Sequence, residues 1–349
     1  MSTNILSLQR WLPWALLFGL LAVLPLFADP FRVPLFGKYL AFAFVAVGIV
    51  LSWGYCGILS LGQGMFFGIG AYAAAMFLKL EASAPELPDF MVWSSVEQLP
   101  LWWEPFHSLA FTLLVILLLP VLLSFPLSYL IFRKRVSGVY FAILTLALAL
   151  TLTVLIIGSQ GGTGGANGIT DFSTLAGIDV ASDEARARWY YFELALLGSA
   201  CAAVAYLVHS RYGKVLIAIR DREDRVRFSG YDTALYKAFT FAVASVLASI
   251  GGAMFVIFTG LITPQLVGAV ASVELVIFAA FGGRLSVLGA VAGAFSIGWL
   301  KSILSETFPE LWLFFLGGLF LVVTAVMPQG LAGVAEAIRA RIMRRGEER

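Results

Sequence analysis

Charge is what this chain has least of. Only 13% of its 349 residues are Asp, Glu, Lys or Arg, about half the quarter found in soluble domains, so a water-soluble enzyme is close to excluded. The net charge of +2 gives no pooled basic surface for a nucleic-acid partner. Cysteine is scarce too: Cys56 and Cys201 both lie in apolar stretches, where they suit packing better than a disulfide. His107 and His209 stand far apart, so no metal constellation can be written down and no metal is expected. Catalytic motifs are missing as well. There is no G-x-x-x-x-G-K-[ST], and the glycine run from Gly161 to Gly168 lacks the lysine of a P-loop. There is no G-x-S-x-G, no H-E-x-x-H and no pair of carboxylates inside a span, so no catalytic residue is expected.

What the chain does have is apolar length. Hydrophobic residues make up 60% and the mean hydropathy is +0.92. At about 20 apolar residues per spanning helix, this composition predicts an all-α polytopic membrane protein, one transmembrane domain over 1–349. Spans are expected near 11–28, 35–53, 57–80, 109–132, 139–158, 190–210, 238–258, 271–283, 286–304 and 311–327. The eighth is short enough to be a half-span or re-entrant segment, so the count is ten, or nine. The first is read as a retained span because no small-x-small cleavage site follows it.

Lys and Arg set the orientation, since cytoplasmic loops retain positive charge. With the N-terminus inside, 17 of the 23 basic residues fall on the inner side, including a basic tail over 328–349. The two long outer loops, 81–108 and 159–189, carry nine acids against two arginines. Both termini are therefore expected to be cytoplasmic. Ser60, Gly64 and Gly68 at four-residue spacing, and Gly289 with Gly293, predict helix faces in close contact, because packing rather than water drives helix association in lipid.

Three polar places stand out. The longest inner loop, 211–237, interleaves Val215, Leu216, Ile219, Val226 and Phe228 with seven charged residues from Arg220 to Arg227. This pattern fits short amphipathic helices under the membrane, ending at Ser229-Gly230. They would form either a docking surface for a cytoplasmic partner or a solvated loop. Glu274 is read as the single carboxylate inside a span, either a functional group or a structural acceptor. The outer glycine run leads into Ile169-Thr170-Asp171-Phe172, as a lined entrance or an ordinary flexible loop.

The run Trp53-Gly54-Tyr55-Cys56-Gly57-Ile58-Leu59-Ser60-Leu61-Gly62-Gln63-Gly64 resembles the W-G-Y-x-G-x-L-S-L-G-x-G signature of high-affinity branched-chain amino acid and urea ABC transporter permeases. Further matches follow in the family's order: Gly138-Val139-Tyr140-Phe141, Gly164 to Gly168, Ala218-Ile219-Arg220-Asp221 through Gly230 and Lys237, and Gly282-Gly283-Arg284 with Gly289-Ala290. Within the family the chain resembles the urea-type LivM-like subunit, UrtC, through Leu87 to Val92, Thr170-Asp171-Phe172 and Arg220 to Asp232. It departs from that type at Gln63, where histidine is common. It departs again at Leu144-Thr145-Leu146-Ala147-Leu148, where the type commonly has I-T-Q-A-L.

The resemblance implies one permease of a bacterial inner-membrane importer for urea or a short amide, with branched-chain amino acids as the alternative solute. It implies a second, LivH-like or UrtB-like permease, two cytoplasmic ABC ATPases, and a periplasmic or extracellular solute-binding protein. ATP and Mg would be used by the ATPases, and this chain would bind no cofactor. Residues 214–232 would be the coupling loop, with Arg220, Asp221, Glu223 and Gly230 as candidate contacts. Gln63, Thr145, Asn167 and Glu274 are the candidates for the solute path. A secondary transporter using Glu274 as its coupling acid is the alternative of another class.

Overall fold

The computed structural model describes residues 2–312 apart from 137, 173, 176 and 180–181, with scattered positions from 314 to 333. Among the described residues twelve helices follow one another: α1 (Ser2–Phe27), α2 (Val33–Ile49), α3 (Gln63–Ser83), α4 (Asp89–Trp93), α5 (Leu109–Arg133), α6 (Val139–Gly158), α7 (Gln160–Thr163), α8 (Asp183–His209), α9 (Arg211–Phe228), α10 (Thr233–Thr259), α11 (Ala269–Gly282) and α12 (Val287–Thr307). Among the described residues, seven helical stretches are long and apolar enough to cross a membrane, and Leu12–Phe27 and Ala269–Gly282 are shorter apolar helices. Most of the tenth predicted span, 311–327, and of the 328–349 tail lies outside the described residues.

The bundle is layered by burial rather than by amphipathicity. Helix α2 with the π-helical turn that ends it, Val50–Tyr55, is apolar on every side and 89% buried, as expected for a helix at the centre of a bundle. It packs chiefly against α10, α12 and α8. Helices α5 and α6 are equally apolar but only 22% and 28% buried, which leaves Leu113, Leu117, Leu122, Val154 and Leu155 facing outward, where lipid would lie. Backbone proximity holds the centre together. A Cβ on Gly252 of α10 would stand 1.9 Å from the Phe67 carbonyl of α3, so only glycine fits there. Around that contact the rings of Phe42, Phe67, Phe255 and Phe278 meet at centroid distances of 5.3–5.9 Å, tying α2, α3, α10 and α11.

The helix starts are capped by their own sequence. Ser210, Asp232 and Ser286 accept from backbone N–H groups at the starts of α9, α10 and α12. At one end of the bundle lie α9 and the turns 134–136 and 283–286. At the other lie α4, α7 and two small antiparallel ladders. Of these, β1 (Ile169–Thr170) pairs with β4 (Leu261–Ile262), and β2 (Thr174–Leu175) with β3 (Ile178–Asp179).

The structure corrects the third predicted span. Residues 56–62 are not helical, so the helix expected over 57–80 starts only at Gln63. Gly57 has φ +77°, a left-handed conformation that does not continue a right-handed helix. Ser60 consequently stands before the helix rather than on a face shared with Gly64 and Gly68. Gly289 and Gly293 lie against the end of α11, where added Cβ atoms would stand 2.3 and 2.4 Å from the Gly282 backbone.

Candidate functional site

Three groups of polar residues interrupt the apolar bundle. The first is the break before α3. The Leu61 N–H donates to Thr145 Oγ1 at 3.2 Å, and the Thr145 hydroxyl donates to the Ala142 carbonyl at 2.9 Å. Gln63, which opens α3, is 1% exposed, and neither its amide nitrogen nor its amide oxygen has a hydrogen-bond partner among the described residues. One residue on, the Gly64 N–H donates to Ser272 Oγ of α11 at 3.1 Å. Cβ atoms on Gly64 and Gly68 would stand 2.4 Å from Ser272 and Val267. The connection between α10 and α11 comes from the opposite end of the bundle, yet it reaches the first two turns of α3, a helix about 31 Å long. It therefore dips deep between the helices. Irregular backbone at such depth is tolerated only where protein covers it or a cavity is lined, and interrupted helices mark the sites of transporters.

Two of the four path candidates, Gln63 and Thr145, thus meet at one break. Asn167 does not join them. It is exposed on the turn before β1, at the other end of the bundle.

The second group surrounds Glu274. Lys301 Nζ of α12 lies 2.6 Å from Glu274 Oε1 and sits over the Trp312 ring at 4.7 Å. Lys38 of α2, half-buried, is within electrostatic reach of both. It makes no hydrogen bond or ion pair with a described residue, and only the Phe255 ring faces its ammonium, at 5.9 Å. Lys38 and Glu274 line a cavity of about 660 Å³ whose other walls include Leu35, Phe255, Phe258, Val270, Thr263 and Gln265. That size is typical of a small-molecule site.

Glu274 is not the single carboxylate in a span, which corrects the reading made from the sequence. Glu193 of α8 is 0% exposed, and neither of its oxygens has a partner among the described residues. Each intramembrane charge costs about 2.5–3.5 kcal/mol on insertion scales, so the lysines and both acids are sites that packing alone would not retain. The signal for all of them was present as single charges inside apolar runs. Lys38 and Lys301 pass unnoticed because lysines near span ends commonly snorkel, and Glu193 because it follows Trp189-Tyr190-Tyr191, which looks like an interfacial girdle.

The third group is α9. Its buried face is Gly213, Leu216 and Ile219, and the helix kinks at Arg222, whose φ and ψ are −152° and 75°. Arg220 Nη1 donates to the Gly54 carbonyl at 2.8 Å and its Nε to Asp221 at 2.9 Å. The Tyr55 hydroxyl donates to the Leu285 carbonyl at 2.7 Å, which links the same corner to the α11–α12 turn. Glu223 does not face solvent as a docking contact would. It takes hydrogen bonds from Lys237, Thr233 and Arg227. Burial works against its charge, but these partners outweigh it and hold the carboxyl below the usual carboxylate range. Gly230, at φ +89°, turns the chain into α10. Beside this turn Phe228 is 93% exposed.

Interrupted helices, a charged cavity and an amphipathic helix laid across one end are features of membrane transport proteins. A family model described as branched-chain amino acid transport system / permease component matches residues 34–324, and the chain belongs to that family. It is a multi-pass inner-membrane protein. It is similar to the high-affinity branched-chain amino acid transport system permease protein LivM of Salmonella typhimurium strain LT2, with 23% identity over 309 residues, 82% of this chain and 66% of the relative. The protein of the same name from Escherichia coli K12 is 23% identical over 311 residues, with the same coverage. The chain thus spans just under two thirds of the length of the curated relatives it matches. No solved structure matches it.

Proposed function

We propose that this chain is one of two permease subunits of an ATP-driven importer. Its α9 end faces the cytoplasm, where two ATPase subunits bind and hydrolyse MgATP, and a binding protein delivers solute to the other end. The observation that carries this reading is α9 itself. It exposes Phe228 and its charged flank, as an anchor for a partner's pocket would. It is also bonded to the bundle at Gly54, through Arg220, and at Lys237, through Glu223. A displacement of α9 would therefore reach the end of α2 and the start of α10, and through Tyr55 the α11–α12 turn. The sorting of positive charge toward this end supports its cytoplasmic side. Solute passage then needs only two packings of the bundle, with partner and solute biasing one over the other.

The solute we propose first is a branched-chain amino acid, the solute for which the family and both relatives are named. Urea or a short amide is the second reading. It is favoured by the urea-type motifs and by the unpartnered amide of Gln63, which could exchange hydrogen bonds with another amide. Proteoliposomes containing the complete complex test the proposal. ATP should drive uptake of labelled leucine after the proton gradient is collapsed. Uptake that follows the gradient without ATP would instead make Glu274 or Glu193 the coupling acid of a secondary transporter. Labelled urea in place of leucine decides between the solutes.

A further inference from the structure

We infer that the cavity between α2, α10 and α11 is a binding site for the zwitterion of an apolar α-amino acid, with Lys38 holding its carboxylate and Glu274 its ammonium. The inference rests on the importer reading for its physiological sense but not for its chemistry. Lys301 takes Glu274 Oε1 at 2.6 Å, which leaves the second carboxylate oxygen with no described partner. Lys38 feels Glu274 electrostatically but makes no hydrogen bond or ion pair with it or with any other described residue. A ligand that brings one carboxylate and one ammonium gives each of these groups a charge-assisted hydrogen bond.

The walls then specify the body of the ligand. Leu35, Phe255, Phe258 and Val270 line the same cavity, so the ligand beyond its two charges is hydrocarbon. Urea offers neither the carboxylate for Lys38 nor the hydrocarbon for those walls. A ligand with a hydroxymethyl group in place of the carboxylate would leave Lys38 uncompensated, and a site built for a charged partner rejects such an analogue strongly. Glu274 thereby acquires a definite role: through Lys301 it is held in place and through its free oxygen it reads the amine. Lys38 becomes the residue that separates amino acids from neutral amides.

The test is leucine binding to the chain, purified with its co-purifying subunits, in nanodiscs of phosphatidylcholine. Wild type should bind labelled leucine, and excess unlabelled leucine should displace it while leucinol and urea should not. Lys38→Met should weaken binding by at least about tenfold, with unchanged melting temperature and subunit co-purification, and Lys38→Arg should retain most of the affinity. Wild-type affinity in Lys38→Met, or displacement by leucinol as effective as by leucine, would overturn the assignment. So would an anionic phospholipid that co-purifies with wild type, is lost in Lys38→Met and blocks leucine, because the cavity would then be a lipid site. If Lys38→Met fails to assemble, Lys38→Arg and the leucinol comparison on wild type still decide. ATP-driven leucine uptake by the wild-type complex is measured alongside. Its absence with binding intact would refute the importer reading alone; uptake that Lys38→Met leaves unchanged would refute the cavity assignment alone.

Discussion

Replacing Glu223 by Gln should loosen α9 from the bundle without unfolding the spans. Lys237 is only 6% exposed and Glu223 is its ion-pair partner. Removing one member of a buried pair costs about 3–5 kcal/mol. The Glu223 side chain is a quarter exposed, however, and Gln can still accept from Thr233, so about 2 kcal/mol is the better figure, near the value of hydrogen bonds to charged groups. That corresponds to roughly a 30-fold rise in the fraction of molecules with α9 undocked. Trypsin reads this directly, because Arg225 and Arg227 become cleavable when the helix detaches. Cleavage there should be about 30-fold faster in Glu223→Gln under native conditions, and Glu223→Gln with Lys237→Met should recover most of the protection by removing the stranded ammonium. The pH dependence has a definite sign. The folded carboxyl lies below its usual range, so the latch contributes fully at neutral pH and is lost as pH falls through the folded value. Wild type should show that acid-induced step and Glu223→Gln should not. Equal cleavage of the two proteins at pH 7 would refute the latch.

Other substitutions probe the core and the break. Gly252→Val places a side chain 1.9 Å from the Phe67 carbonyl and should cost about 1–3 kcal/mol or more by overpacking; an unchanged melting temperature would contradict the α3–α10 contact. Gln63→Leu removes two unbonded buried polar atoms and should raise stability by about 1–3 kcal/mol while reducing uptake, whereas a lower melting temperature would mean that the amide has a partner. Glu193→Leu should likewise raise the melting temperature, since the carboxylate has no described partner. A destabilised variant would show that something compensates it.

Much of this architecture is legible in the sequence because lipid imposes a simple rule: long apolar runs are helices. The short eighth run became α11, fourteen residues long, and the interleaved 211–228 segment became a helix with one buried stripe. The break at 56–62 is not legible in the same way. Ile58, Leu59 and Leu61 keep the run apolar, and what stops the helix is the backbone of Gly57 and the Leu61–Thr145 bond across 84 residues. Glu223 reads as surface charge for a similar reason. Its partners Thr233 and Lys237 belong to the next helix, and only the turn at Gly230 brings them together. The grouping of Lys38, Glu274 and Lys301 depends on three helices and has no local signature at all.

The most direct test of α9 as the element that receives force from an ATPase is a photo-crosslinking amino acid in place of Phe228, in the assembled complex. Illumination should join the chain to an ATPase subunit, with a yield that changes between nucleotide-free and ATP-bound states. Crosslinks only to lipid, or none while ATP-driven uptake continues, would contradict it.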